Sequence, residues 1–199
     1  MKKTVNMSAA VIVLLAIAVV TMSFGFASYA QKLTITGTTT VKSSKWSVHY
    51  KTDSLTKNAG SQDPAASSQQ LTDTAWTFAT TLNEPGEFYD WTAKVVNDGT
   101  INAQLTKITL STLTEAQQKY LTYEVTYTPY TCSAPDSCTP GTAKTVSATE
   151  DSLGIALSSG DYAIVNVKAT YVQPDSENDL PADDANITLT AALDYVQVD

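Results

Sequence analysis

Four apolar positions recur at every second residue in Tyr89-Asp-Trp91-Thr-Ala93-Lys-Val95. Successive side chains on a strand point to opposite faces, so this period buries one face and wets the other, which a helix cannot do. The same beat returns in Leu121, Tyr123, Val125 and Tyr127, and in Ile101, Ala103 and Leu105. Between the first and last of these runs lies Asn97-Asp98-Gly99-Thr100, whose Asp-Gly pair predicts a type I′ hairpin turn. Beyond Leu105 the phase slips at Lys107, because Ile108 and Leu110 fall on the other parity. One inserted residue, a β-bulge, accounts for such a slip. Composition agrees with this pattern. The 31 threonines are β-branched and polar, suited to the wet face of a strand, and ten tyrosines accompany them.

Further strands are expected at Trp46, Val48 and Tyr50, at Trp76 and Phe78, from Tyr162 to Val172, and from Ile187 to Val198. The three tryptophans each share a face with other apolar residues, so core packing is expected of them. Glu84-Pro85-Gly86-Glu87 is a turn, with proline pre-setting φ and glycine accepting positive φ. Its two glutamates are expected to be solvated. Residues 51–73 and the acidic stretch 174–184 are rich in turn formers and predict surface loops. Thr112 and Glu115 have capping-box spacing, which predicts one short helix over Glu115 to Tyr120. The strand starting at Leu121 is expected to end at Pro129. Roughly seven to nine short strands separated by turns predict an all-β fold, a single β-sandwich or jelly-roll domain over residues 31–199.

Residues 1–30 read differently. Lys2 and Lys3 precede twelve uninterrupted apolar residues, Ala9 to Val20, and Ser28-Tyr29-Ala30 then offers small residues where a signal peptidase inspects. Cleavage between Ala30 and Gln31 would leave 169 residues with a net charge of −10. The competing expectation is a retained transmembrane helix, since the 19 largely apolar residues through Ala27 could just span a bilayer. Either way the domain lies outside the cytoplasm, and contact with a membrane is expected only through an uncleaved N-terminal segment.

In an exported chain, the close pair Cys132 and Cys138 around Pro135 predicts a local disulfide. The chain carries 12 basic residues, all lysine, against 20 acidic ones. Without arginine it lacks the side chain best suited to phosphates and guanine edges, so nucleic-acid binding is not expected. His49 is the sole histidine, no G-x-S-x-G turn occurs, and neither a catalytic residue nor a cofactor is expected. Asp175, Glu177 and Asp179 alternate like the first ligands of a calcium loop, a weak metal candidate. The template then fails, because Leu180 stands at the glycine position and Asn186 at the glutamate position. Asn186-Ile-Thr188 also forms a glycosylation sequon.

Several stretches in order resemble the TasA/camelysin-like exported proteins of Gram-positive and related bacteria. They are Phe26-Ala-Ser-Tyr-Ala30, Leu33-Thr-Ile-Thr-Gly37, Trp46-Ser-Val48, Glu84-Pro-Gly86, Val95-Val-Asn97-Asp-Gly99-Thr-Ile-Asn-Ala103 and Leu193-Asp-Tyr-Val-Gln197. The resemblance implies a jelly-roll domain exported with a dedicated signal peptidase, and in some members assembly into biofilm matrix fibres. Camelysin is described as a metalloprotease, but no H-E-x-x-H occurs here, so that activity does not carry over.

The expected function is therefore that of an exported structural protein of the cell surface or matrix, without enzymatic activity and with fibre formation as a route. After cleavage, Gln31 to Val41 would be a free strand with Leu33 and Ile35 on one face, able to pair with a neighbouring copy. The competing expectation is that this strand pairs within its own sandwich. A different class is a surface-displayed binding module for carbohydrate or another surface protein, using exposed aromatics and the loops at 51–73 and 174–186.

Overall fold

A computed structural model describes residues 43–134, 136–176, 179–181, 185 and 187–198. The expected leader and the strand at Leu33 and Ile35 lie outside these residues. In chain order the described elements are β1 (Val48–Tyr50), β2 (Thr56–Lys57), β3 (Gln70–Leu71), β4 (Trp76–Thr77), β5 (Phe88–Asn97) and β6 (Asn102–Leu110). There follow helix α1 (Glu115–Gln118), β7 (Leu121–Ala134), β8 (Ser137–Pro140), β9 (Lys144–Val146), β10 (Glu150–Leu157), β11 (Tyr162–Tyr171) and β12 (Ala191–Val198). The chain is mostly β and its pairings are antiparallel, as the alternation requires.

Seven strands form one sheet in the order β1-β5-β11-β7-β8, with β2 also on β5 and β9 also on β7. Three form a second sheet, β10-β6-β12, and β3 pairs with β4 alone. One buried cluster draws on both larger sheets. Tyr89, Val95, Val125, Tyr127, Ala163 and Val165 come from the first, and Ala103, Leu105, Ile108 and Leu157 from the second. Each buried Val, Leu or Ile among them contributes about 1.5–3 kcal/mol by leaving water. The opposite face of the first sheet carries the threonines. Thr56, Thr92, Asn166, Thr126 and Thr145 lie in one row across β2, β5, β11, β7 and β9.

The bulge expected near Lys107 is present. Asp194 faces Lys107 and Tyr195 faces Leu105, so Thr106 is the extra residue, and Leu105 and Ile108 are both fully buried. The hairpin expected at Asn97-Asp98-Gly99-Thr100 is absent, because β5 and β6 belong to different sheets and this segment crosses between them. Buried Asn97 holds the crossing: its Nδ2 donates to the carbonyls of Ile101 and Leu157, each at 2.9 Å. Gly99 is required by proximity, since a Cβ there would collide with the Lys45 carbonyl and the Ser47 amide.

Four smaller expectations are revised. The capping box is Thr114 with Gln117, two residues later than the Thr112 spacing indicates. Strand β7 runs through Pro129 to Ala134; its outer partner changes from β9 to β8 there, so the missing N–H falls at a break in pairing. The stretch 51–73 contains the two short strands β2 and β3. Trp46 is 42% exposed, whereas Trp76 and Trp91 pack against the core as expected.

Candidate functional site

Strand edges are the first place to look in a β protein, because an unpaired edge offers a row of free N–H and C=O groups. Strand β12 lies at the margin of the three-stranded sheet and pairs with β6 alone. Its eight residues, Ala-Ala-Leu-Asp-Tyr-Val-Gln-Val, contain one charge and no proline. Inwardly it is well anchored, with Ala191, Leu193 and Tyr195 packed against the core. The Tyr195 and Tyr127 hydroxyls meet at 3.2 Å, tying β12 to the seven-stranded sheet. On its outer face Val196 is 44% exposed. Along the other side of β12 the backbone has no partner among the described residues.

The other margin of that sheet is irregular. Strand β10 slips register between Asp151 and Ile155, and Ser152 and Gly154 take positive φ of 60° and 64°. Bulges and kinks of this kind spoil a strand as a template for addition. Of the expected assembly and cleavage residues, Ala30, Gln31, Leu33 and Ile35 all lie outside the described residues.

Cys132 and Cys138 form the expected disulfide and face each other across β7 and β8. The Cys132 amide donates to Asp161 Oδ1 at 2.9 Å, while Asp161 Oδ2 accepts from the Ser158 amide at 3.2 Å. Asp161 thus fastens the start of β11 to the stapled hairpin.

A shallow depression of about 520 Å³ opens beside that hairpin. Its walls include His49, Lys51, Lys94, Asp98, Ser133 and Tyr162. The Lys51 amide donates to the Lys94 carbonyl at 2.8 Å, which places the two lysines opposite each other just past the end of β1. The Lys94 ammonium lies 4.0 Å from the Tyr162 ring centroid, and the other face of that ring stacks on Tyr130 at 4.7 Å. His49 lies between Ser47, with Oγ 3.5 Å from Nδ1, and Asp98, with Oδ2 3.6 Å from Nε2. Both separations exceed those of a good hydrogen bond, so neither contact activates the serine.

Two of the three calcium candidates are described. Asp179 pairs with Lys119 at 2.7 Å, Asp175 is exposed, and Glu177 lies outside the described residues. Among the described residues no group of three or more His, Cys, Asp or Glu side chains is placed to hold a metal ion. Glu84 is exposed, as expected, whereas Glu87 is half-buried and its Oε2 accepts from the Asn83 amide at 2.5 Å. Five tyrosines, Tyr50, Tyr89, Tyr123, Tyr127 and Tyr195, turn their phenols inward. Burial pushes those of Tyr50 and Tyr127 up to about 12 and raises the other three as well, so all remain neutral at ordinary pH.

Two features were missed in the sequence. Lys94 sits on the wet phase of β5, but Lys51 falls in a stretch read as loop, so their pairing carried no local signal. The margin position of β12 depends on sheet order, which periodicity does not encode. No protein-family model matches the chain, and comparison with curated proteins finds no relative.

Proposed function

We propose that this chain is an exported, non-enzymatic structural protein of the cell surface or extracellular matrix, whose copies join into fibres by strand addition at β12. The two larger sheets act as the layers of a jelly-roll sandwich around their shared core. The observation that carries the reading is the edge of β12, eight residues long, nearly uncharged and unpaired on its outer side among the described residues. The occupant is the segment 31–41, whose alternating Leu33 and Ile35 suit an added strand. A strand donated from one copy to the next gives a head-to-tail contact that does not close on itself, and such contacts propagate. The Cys132–Cys138 disulfide suits an oxidising, extracytoplasmic location. The resemblance to TasA/camelysin-like exported proteins points the same way.

Electron microscopy of the purified protein at rising concentration, beside a version lacking residues 31–41, tests this reading. Filaments from the parent and none from the deletion are expected. Filaments undiminished by the deletion would remove the donated strand from the account. A monodisperse parent at every concentration would remove the fibre itself.

A further inference from the structure

We propose that the depression between Lys51, Lys94 and His49 binds an anionic sugar unit of an acidic polysaccharide, its carboxylate or phosphodiester held between the two lysines.

The charge pattern is the first observation. Of the eight described lysines, Lys57, Lys107, Lys119 and Lys144 each meet an acidic side chain within 2.9 Å. Lys45, Lys51, Lys94 and Lys168 do not, and of these four only Lys51 and Lys94 border the depression, although the chain has a net charge of −8 and acids are plentiful. Instead Lys51 and Lys94 face each other across neighbouring backbone segments, an arrangement that repels. Asp53 borders an adjoining hollow with both lysines yet forms no ion pair with either. A like-charged pair without a carboxylate between its members in an acidic protein is well suited to an incoming anion.

The lining selects among anions. Both faces of Tyr162 are occupied, one by Tyr130 and the other by Lys94, so no ring face is free to stack a nucleotide base. What remains of the lining is apolar at Val96 and Ala134, with Cys132 and Gly160, and polar at Ser133 and Asp98. Apolar patches interspersed with hydrogen-bonding groups fit a hydroxyl-bearing ring, whose C–H faces and O–H groups need both. Asp98 accepts a sugar hydroxyl while the lysines take the acid group. Lys94 arrives oriented, because the Tyr162 ring already holds its ammonium.

This inference stands apart from the assembly of copies, since the depression lies on the seven-stranded sheet and β12 lies on the other. Isothermal titration at low salt with polygalacturonate, poly(glycerol phosphate), neutral dextran and poly-glutamate tests it on the full chain. Binding to either acidic glycopolymer is expected, with dextran silent, and the stronger of the two identifies the acid group as carboxylate or phosphodiester. The double variant Lys51→Gln/Lys94→Gln is expected to bind at least about tenfold more weakly while melting no lower than the parent. Lys168→Gln, on the same sheet outside the depression, is expected to bind like the parent. Equal affinity in the double variant, an equal loss in Lys168→Gln, tighter binding of poly-glutamate, or no binding to either glycopolymer would each overturn the proposal.

Discussion

The β7 margin of the seven-stranded sheet and the β12 margin of the three-stranded sheet meet the same hazard in opposite ways. Strand β7 is fourteen residues long, yet its outer side is covered by two short strands, β8 and β9. A disulfide clamps β7 to β8, and Pro129 falls where the covering strands change over. Strand β12 has none of these devices among the described residues: no proline, one charge, and eight residues paired with β6, the single bulged residue, Thr106, lying on β6. A chain that closes one margin so thoroughly has the means to close the other. The difference is that, among the described residues, the β12 edge is left without a covering strand, which is the feature the proposed assembly uses.

Four changes break or sharpen that contrast. The largest effect is expected from Tyr195→Ala, which removes the side chain that anchors β12 inward and its contact with Tyr127. Chemical denaturation should show a loss of about 3–5 kcal/mol, as for other large aromatic truncations in a core. A loss below about 1 kcal/mol would mean that β12 is not held by the shared core.

At the closed margin, replacing Cys132 and Cys138 together by Ser is expected to cost about 2 kcal/mol, because the closed loop is short. Assembly should be unaffected; failure of the disulfide-free variant to assemble, once refolded, would merge the two margins that the account separates.

Alkaline titration comes next. The folded state keeps Tyr50 and Tyr127 protonated up to about 12, while the unfolded chain releases such protons near 10. Their contribution is therefore fully present below pH 10 and is lost as pH rises from there through about 12. Each phenol contributes a decline of about 1.4 kcal/mol per pH unit in that window. Denaturation midpoints that stay level from pH 9 to pH 12 would contradict the burial of these hydroxyls between the sheets.

The smallest effect on the fold is expected from Val196→Lys. The position is exposed, so stability should change by no more than about 0.5 kcal/mol, while a charge on the open strand discourages pairing. Light scattering should show assembly weakened by this variant, whereas the equivalent change at exposed Thr139 on β8 leaves it intact.

Much of this architecture was legible in the sequence where alternation is strong. Tyr89 to Val95 and Leu121 to Tyr127 announce strands and their inward faces, and the parity change after Leu105 locates the Thr106 bulge. Local signals failed where a long-range neighbour decides the outcome. Asn97-Asp98-Gly99-Thr100 has hairpin chemistry, yet the approach of Lys45 and Ser47 and the hold of Asn97 on Leu157 make it a crossing between sheets. Strand β10 went unread because Gly154 and adjacent acids interrupt any period. The disulfide was readable from spacing. The juxtaposition of Lys51 with Lys94 was not, since it exists only once β1 lies against β5.

Hydrogen exchange along residues 191–198, compared between dispersed and assembled protein, tests the central claim most directly. The account predicts that the amides on the open side of β12 exchange readily in the dispersed protein and become protected on assembly, while those of β7 and β8 keep the same protection in both. Equal protection along β12 in the two states would show that copies join elsewhere and would contradict the account.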